Sequence, residues 1–329
     1  GETAAGPQVA ARNQRGQPSY DVAGADGVSF STDWLVDRAI EFIGKRAGEK
    51  THEYSFTEDE APNIVIMEDM FVIRNSPFDP LKVENPDYEG IVEQGMALAD
   101  LRHIFITHLH SDHYLELGPL LHTAWTAGLK SKVEVWGPKG LADYWDAFLL
   151  SMKADIDLRI EDEGRPDLRA MVTIRVIDAG AFFETEGLRV SALRNIHPPL
   201  VDTFALRFEG AGRVVVFSGD TAFFPPLADF ARGADLLIHE AMLEEAVEAL
   251  IARVGNTDGR LRTHLLRSHS FAPEAAKIAA MAEVGALAVH HMIPSDDPSF
   301  TEEHWQAAVR PHWSGPFFMG RDGLRIDLG

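Results

Sequence analysis

Short apolar runs alternate along the chain with stretches in which apolar residues recur every third or fourth position. The short runs are typical of buried strands and the wider spacing of amphipathic helices. We therefore predict strands at residues 64–67, 70–73, 103–107, 133–136, 172–177, 188–195, 203–208, 213–218, 236–239, 287–290, 316–319 and 323–328. We predict helices at residues 34–46, 91–99, 114–128, 140–152, 226–232, 241–254, 273–284 and 301–310. Because hairpin-like strand pairs lie among the alternating elements, this order favours a layered α/β sandwich over a single parallel sheet.

The absence of apolar stretches at the N-terminus defines the expected domain organisation. Residues 1–29 are rich in Gly, Ala, Gln and Asn and contain no apolar stretch, so we predict a flexible N-terminal arm there. Residues 30–329 are then one domain, and the highly charged stretch 155–170 is expected to cover a face or form an excursion. The arm fits either the mature end of an exported protein or a disordered leader, which leaves cytoplasmic, periplasmic and secreted locations all open.

The amino-acid composition limits which reactions and which partners the protein can have. The chain has 329 residues and no cysteine, which excludes disulfides, thiolate metal sites and a cysteine nucleophile. No run reaches the roughly 18 to 20 apolar residues that a membrane span requires, so no membrane partner is expected. The 51 acidic and 30 basic residues give a net charge of −21. This charge disfavours long polyanions, so we expect a small-molecule substrate and regard nucleic acid as an unfavourable partner.

The densest chemical signal is the segment 106–113, which places three histidines and a carboxylate within six positions. Residues two apart in an extended chain point to the same side, so His108 and His110 can face one ion. A turn at Ser111 would swing Asp112 and His113 towards a second ion. Imidazole and carboxylate donors without thiolate suit divalent zinc, with manganese and iron as the alternatives. The segment therefore predicts a metal site.

Further candidate ligands follow predicted apolar strands. His197 comes after the strand 188–195, Asp220 after the strand 213–218, and His290 at the end of the strand 287–290. Gly219 permits a tight backbone before Asp220. Each of these residues alone is more often structural, and it is their common position after strands that makes them candidates.

These motifs together resemble the metallo-β-lactamase superfamily and, within it, the ribonuclease Z-like branch. The matching segments are THLHSDH (107–113), the His-Pro pair at 197–198, FSGDT (217–221), ADLLIHEAM (234–242), SHSFAPEAA (268–276) and LAVHH (287–291). The resemblance implies a four-layer αββα sandwich with a site for two divalent ions at the edge of the sheets. It assigns His108, His110 and His197 to one ion and Asp112, His113 and His290 to the other, with Asp220 bridging. His290 is preferred over His291 because it directly follows the strand.

The same branch implies two assisting residues. Glu240 and His269 match a glutamate and a histidine that help the leaving group depart, and Asp112 orients the nucleophile as well as binding metal. A glutamate that orients a histidine is one way to build a general acid. The alternative is that Glu240 caps a helix and His269 is a surface residue.

The resemblance predicts a metal-dependent hydrolase in which a hydroxide bridging two ions attacks a small ester-like substrate, namely a phosphodiester, lactone or β-lactam. The alternatives are a ribonuclease Z-like phosphodiesterase acting on RNA and an iron-dependent redox member of the same fold. Residues 30–95 are atypical, because the family's opening glycine-rich turn and Asp-Cys-Gly strand end are missing. The first strands are thus rearranged, replaced or supplied by a partner in a homodimer.

Overall fold

The computed structural model describes residues 98–328 except 130, 255–257, 294–296 and 322–323, together with the backbone of short strands between residues 11 and 74. It divides into two units, Gly1–Glu49 and Lys50–Gly329. In the first unit, β1 (Ala11–Arg12) pairs antiparallel with β2 (Pro18–Ser19), and β3 (Asp21–Ala23) with β4 (Ser29–Ser31). Apart from these strands, the predicted arm, the helix predicted at 34–46 and residues 91–97 of the helix predicted at 91–99 lie outside the described residues. The end of that second helix falls in a 3-10 helix, Leu98–Asp100.

The first sheet of the second unit has the strand order β10-β9-β8-β7-β6-β5-β18. Its strands are β5 (Glu53–Ser55), β6 (Ile64–Met67), β7 (Met70–Arg74), β8 (Leu101–Ile106), β9 (Val133–Gly137), β10 (Val172–Val176) and β18 (Leu324–Arg325). Strands β5 to β8 are joined antiparallel, and β8, β9 and β10 run parallel. The strands predicted at 64–67 and 70–73 are confirmed. They pair beside β8, so the atypical segment contributes strands to its own chain's sheet.

The second sheet has the order β11-β12-β13-β14-β15-β16-β17. Its strands are β11 (Gly180–Thr185), β12 (Leu188–Arg194), β13 (Phe204–Gly210), β14 (Arg213–Phe217), β15 (Leu236–Met242), β16 (Ala286–Ile293) and β17 (Phe317–Met319). Strands β11 to β14 are antiparallel, whereas β14 to β17 are parallel. The carboxyl ends of β14, β15 and β16 therefore meet at one edge of the sheet.

Helices cover the outer face of each sheet. They are α1 (Ser111–Tyr114), α2 (Leu117–Thr126), α3 (Leu141–Ser151), α4 (Lys153–Glu163), α5 (Leu168–Met171), α6 (Pro226–Phe230), α7 (Glu244–Val254), α8 (Arg260–Ser268), α9 (Ala272–Ala282) and α10 (Glu302–Val309). Alternation along β8 shows the layering: Ile104 and Ile106 pack under α2 and α3, while Phe105 packs in the cluster between the sheets. The predicted four-layer αββα sandwich is confirmed. No helix among the described residues is both long and apolar enough to cross a membrane.

Three helices, α4, α5 and α8, were not predicted. The charged stretch 155–170 overlaps α4 and contains α5. The exposed side of α4 is lined by pairs four residues apart, such as Arg159 with Asp155 at 3.0 Å and with Glu163 at 2.9 Å. Such pairs support a helix without an apolar stripe of normal width. Helix α8 was not predicted, because it contains three arginines and, among its nine residues, buries only Leu265 and Ser268.

The edge where the candidate ligands lie is tied together by backbone hydrogen bonds. The Phe204 amide of β13 donates to the Thr107 carbonyl after β8 at 3.1 Å, which joins the two sheets there. The Ser218 amide after β14 donates to the Ile238 carbonyl of β15 at 2.9 Å. The loops that follow β8, β12 and β14 are thus held beside one another.

Candidate metal centre and catalytic site

The His motif leaves β8 as an extended segment and then turns, as predicted, because α1 begins at Ser111. His108 is fully buried and His110 half-buried, while His113 returns under the turn with its ring centroid 3.8 Å from that of His108. The Nδ1 atom of His108 lies 3.1 Å from the Thr107 hydroxyl, so its Nε2 is the nitrogen available to the cluster. Asp112 is half-exposed at the rim.

Asp220 is the common neighbour of the histidines. Its buried Oδ2 lies 3.0 Å from His291 Nε2, 3.4 Å from His113 Nε2, and 3.8 Å from the Nε2 atoms of His108 and His197. Burial by itself raises the pKa of Asp220, but the charges and hydrogen bonds of His291 and His113 outweigh burial and hold that pKa well below its usual range. Asp220 is therefore an ionised carboxylate at the centre of a ring of imidazoles.

The backbone before Asp220 has a shape that only glycine accepts readily. Gly219 has φ of +56°, and a Cβ there would lie 2.5 Å from the Phe204 carbonyl oxygen. Asn195 holds the same turn, because its Nδ2 donates to the carbonyls of Ser218 at 2.7 Å and Asp220 at 3.0 Å. Sequence reasoning identified Gly219 but missed Asn195, whose only signal was its place at the end of a strand.

His197 is oriented by α8. Its Nδ1–H donates to the Ser268 carbonyl at 2.7 Å, so its Nε2 carries the lone pair and lies 2.9 Å from His110 Nδ1. Burial lowers the pKa of both His110 and His197 to about 4, and burial also lowers the pKa of His108 well below its usual range. These three histidines are neutral near pH 7, which is the form that binds metal.

The structure places His291, not His290, against the centre. Strand pairing runs from Glu240–His290 to Ala241–Met292, so His291 is the extra residue of a β-bulge, with φ of +43°. A bulge re-aims a side chain that simple alternation would place elsewhere. His291 Nε2 consequently lies 3.6 Å from Asp112 Oδ2 as well as 3.0 Å from Asp220.

His290 lies on the other side of the strand end, close to His239. Burial lowers the pKa of His239 to about 4, and the charge of His290 contributes to that lowering. Among the described residues, the groups of three or more potential ligand atoms include His291 and do not include His290. The sequence-based choice between the two neighbours therefore differs from the structure.

Glu240 and His269 form a buried pair beside the centre. Glu240 Oε1 accepts hydrogen bonds from the Thr221 amide at 2.8 Å and the Ser270 amide at 3.3 Å, and lies 3.2 Å from His269 Nδ1. Burial, reinforced by the charge of Asp220, raises the pKa of Glu240 well above its usual range. The geometry thus agrees with a positioned histidine better than with a helix cap and a surface residue, since His269 is only 6% exposed.

The donor set fits divalent ions. His108 Nε2 and Asp220 Oδ1 are buried and have no hydrogen-bond partner within the part of the chain that the structure describes. One group of ligand atoms comprises His108, His110 and His197, and another comprises Asp112, His113 and His291. Nitrogen and carboxylate donors that converge in this way, with polar atoms left unpaired, match the requirements of zinc and similar ions.

Two residues on α8 also reach the site without having been predicted. The His264 ring lies 6.1 Å from the rings of His110 and His197 and 5.8 Å from that of His269, measured between centroids. The Ser268 hydroxyl donates to the Pro198 carbonyl at 2.6 Å. His264 lies outside the matched motifs, whereas Ser268 opens the segment 268–276 but was assigned no role there, and the helix that carries both was not predicted.

The family model described as the β-lactamase superfamily domain matches residues 84–292. A ribonuclease Z of Mycobacterium bovis is 30% identical over 237 residues, which are 71% of this chain and 82% of that protein. A ribonuclease Z of Mycobacterium sp. strain KMS is 32% identical over 238 residues, 71% of this chain and 80% of its own length.

Solved structures show the same fold. The metallo-beta-lactamase fold protein YhfI from Bacillus subtilis matches 83% of this chain and 97% of its own, with a TM-score of 0.54 and 16% identity. The short form of human tRNase Z matches 83% of this chain and 95% of its own, with a TM-score of 0.50 and 17% identity.

These relatives contradict the expectation of a small-molecule substrate with nucleic acid as an unfavourable partner, because the similar proteins are ribonucleases. The net charge of −21 is a sum over the whole chain, whereas a phosphodiester meets a single surface. The family binds divalent metal ions, usually zinc. The motifs, the αββα fold and these matches together show that the chain belongs to the β-lactamase superfamily and, within it, to the ribonuclease Z-like branch of metal-dependent hydrolases.

Proposed function

We propose that this protein is a dinuclear metal-dependent phosphodiesterase that cleaves RNA. The observation that carries the proposal is the buried Glu240–His269 pair beside the histidine cluster. The Nδ1 atom of His269 lies 3.8 Å from Asp220 Oδ2. A hydrolase of this branch needs a group that assists the leaving oxygen, and this pair supplies one. The ribonuclease Z relatives point to RNA as the substrate class.

His108, His110 and His197 would hold one ion and Asp112, His113 and His291 the other, and the carboxylate of Asp220 lies close enough to both groups to serve as a further ligand. Zinc is the expected ion. When bound, such ions polarise phosphoryl oxygens and make water acidic enough to act as a nucleophile near neutral pH. Deprotonated carboxylates and neutral imidazoles are the forms required, and the lowered pKa values of Asp220 and of His108, His110 and His197 favour these forms at those four residues.

Residues of the chain orient the attacking water and deliver the proton to the leaving oxygen. Asp112 at the rim can accept a hydrogen bond from the attacking water and so orient it towards phosphorus. His269 is fixed through Nδ1 by Glu240, which leaves Nε2 as the nitrogen that delivers a proton to the departing oxygen. The two backbone amides on Glu240 Oε1 fix that carboxylate in turn. As the water oxygen bonds to phosphorus its proton passes to Asp112, the P–O bond to the leaving oxygen breaks, and that oxygen takes the proton held on His269 Nε2.

The test combines metal analysis with cleavage of an end-labelled RNA. Purified wild-type protein should contain about two equivalents of divalent metal and cleave the RNA, and removing the metal with a chelator should abolish cleavage. Asp220→Ala should lower metal affinity and cleavage by at least about a hundredfold, since even partners of ligands contribute 10- to 100-fold. Asp229→Ala is the matched control, because Asp229 is an exposed carboxylate in α6 paired with Arg232.

Two results would overturn the proposal. One is a metal-loaded wild-type protein that does not cleave RNA. The other is an Asp220→Ala variant that retains both metal and cleavage at the level of Asp229→Ala.

A further inference from the structure

Helix α8 turns one face towards the metal centre. Arg260, His264 and Arg267 are spaced four and three residues apart, so they lie along one side of the helix. The direction of that side is fixed by His264, whose ring is about 6 Å from the rings of His110 and His269. The opposite flank packs through Leu265, which is buried. A row of basic residues therefore begins beside the catalytic pair and extends away from it.

The arginines of α8 differ in what they contact. Arg260 pairs with Asp258, and Arg262 pairs with Glu248 of α7 at 2.8 Å. Arg267 is exposed and makes no hydrogen bond or ion pair with any residue of the described part of the chain. Burial is the main cause that lowers the pKa of His264, and the positive charge of Arg267 lowers it further. The guanidinium of Arg267 is therefore close to the imidazole of His264, which faces the site. An unpaired guanidinium at this place is available for an anionic ligand.

We propose that this basic face of α8, with Arg267 as its principal residue and Arg260 further along, binds the phosphates of the RNA strand that flank the scissile bond. The inference rests on the proposed function and adds a substrate subsite to it. Arginine suits this role because its planar fork can donate two hydrogen bonds to one phosphate. Arg267 is separated from the catalytic His269 by one residue, so a strand held there has a phosphodiester within reach of the metal centre.

The subsite also accounts for how an acidic protein can bind RNA. The net charge is −21, but acidic partners neutralise Arg260 and Arg262 and leave Arg267 unpaired. A ligand phosphate can displace the exposed Asp258 from Arg260, since exposed pairs contribute little stability. Arg262, by contrast, lies roughly 200° round the helix from Arg260 and faces α7.

The experiment compares Arg267→Ala, Arg267→Lys and Arg262→Ala as metal-loaded enzymes. KM and kcat are measured on an RNA substrate between 50 and 200 mM salt, with bis(p-nitrophenyl) phosphate, which has no flanking phosphate, as the reference substrate. We expect Arg267→Ala to raise KM on RNA about tenfold more than on the reference, as loss of one charged hydrogen bond implies. The slope of log KM against log salt should fall by about 0.7, the value for one phosphate contact on a single strand.

The variants separate a binding role from a structural one. Arg267→Lys keeps the charge but not the fork, so its KM should lie between those of wild type and Arg267→Ala, and kcat should change little. Arg262→Ala, on the other flank of the same helix, should behave as wild type. Equal KM values and salt slopes for Arg267→Ala and Arg262→Ala, with wild type cleaving RNA, would overturn the subsite alone. A wild-type enzyme that hydrolyses the reference but not RNA would overturn the proposed function and the subsite with it.

Discussion

Whether His291 or His290 binds the metal can be tested by measuring metal binding separately from the stability that each side chain contributes through packing. His291 Nε2 lies 3.0 Å from Asp220 Oδ2 and 3.6 Å from Asp112 Oδ2, whereas His290 lies beside His239. His291→Ala should therefore remove a metal ligand. His290→Ala should remove only a buried side chain, since His290 is 5% exposed.

The magnitude follows from linkage between binding and folding. A ligand at one hundred times its Kd stabilises the folded protein by about 2.7 kcal/mol per site. Loss of a direct ligand should weaken binding at least about a hundredfold, the upper end of what outer partners contribute. At the same metal concentration the stabilisation then falls to about 0.4 kcal/mol. With an unfolding entropy of about 2.1 cal/mol/K per residue over 329 residues, the metal-induced increment in melting temperature should shrink from roughly 4 °C to roughly 0.6 °C.

The assay is thermal unfolding of wild type and both variants, each without metal and with zinc at one hundred times the wild-type Kd. His290→Ala should melt earlier than wild type in both conditions because a cavity is left, yet keep the full metal-induced increment. His291→Ala should lose most of the increment. If instead His290→Ala loses the increment and His291→Ala retains it, the bulge does not place His291 as the ligand and the reasoning is refuted.

Two further outcomes concern the turn that carries Asp220. Gly219→Ala should destabilise the protein by about 2–5 kcal/mol, combining a left-handed residue at 1–2 kcal/mol with overpacking at 1–3 kcal/mol, as measured by denaturant unfolding. Gly212→Ala, where φ is +76° and nothing lies within 4 Å, should show only the left-handed cost, and an equal loss would contradict the close-approach argument. Asn195→Ala should lower metal affinity about 10- to 100-fold in a metal titration, because both carbonyls flanking Gly219 lose their donor; wild-type affinity would exclude that role.

Buried strands were the most predictable part of the fold. The predicted apolar runs at 213–218 and 236–239 correspond to β14 and to the first half of β15, because both faces of these strands are covered. Strand β11 escaped detection, since it is an edge strand in which only Phe183 is buried. Helix α4 was also not predicted, because its exposed side carries ion pairs and the helix lacks a clear apolar periodicity.

The candidate site could be predicted where a ligand immediately follows a strand. The motif at 108–113, His197 and Asp220 lie together as expected, because loops after neighbouring strands converge at one edge of the sandwich. The alternation of side chains along a strand could not predict that His291, and not His290, faces the cluster at the end of β16. A single bulge residue reverses which of two adjacent histidines faces the centre, and the sequence contains no glycine or other signal of a bulge there.

Helix α8 links the proposed metal site to the proposed RNA subsite. The Ser268 carbonyl accepts the hydrogen bond that orients His197, and the Ser268 hydroxyl donates to Pro198 in the same loop. Arg267 is the residue immediately before Ser268, so the same stretch of backbone carries the guanidinium and orients the imidazole of His197. A phosphate bound by Arg267, as we propose, would therefore lie near the loop that carries His197. In the proposed enzyme, a helix that the sequence does not reveal would thus bring the RNA next to the metal ligands.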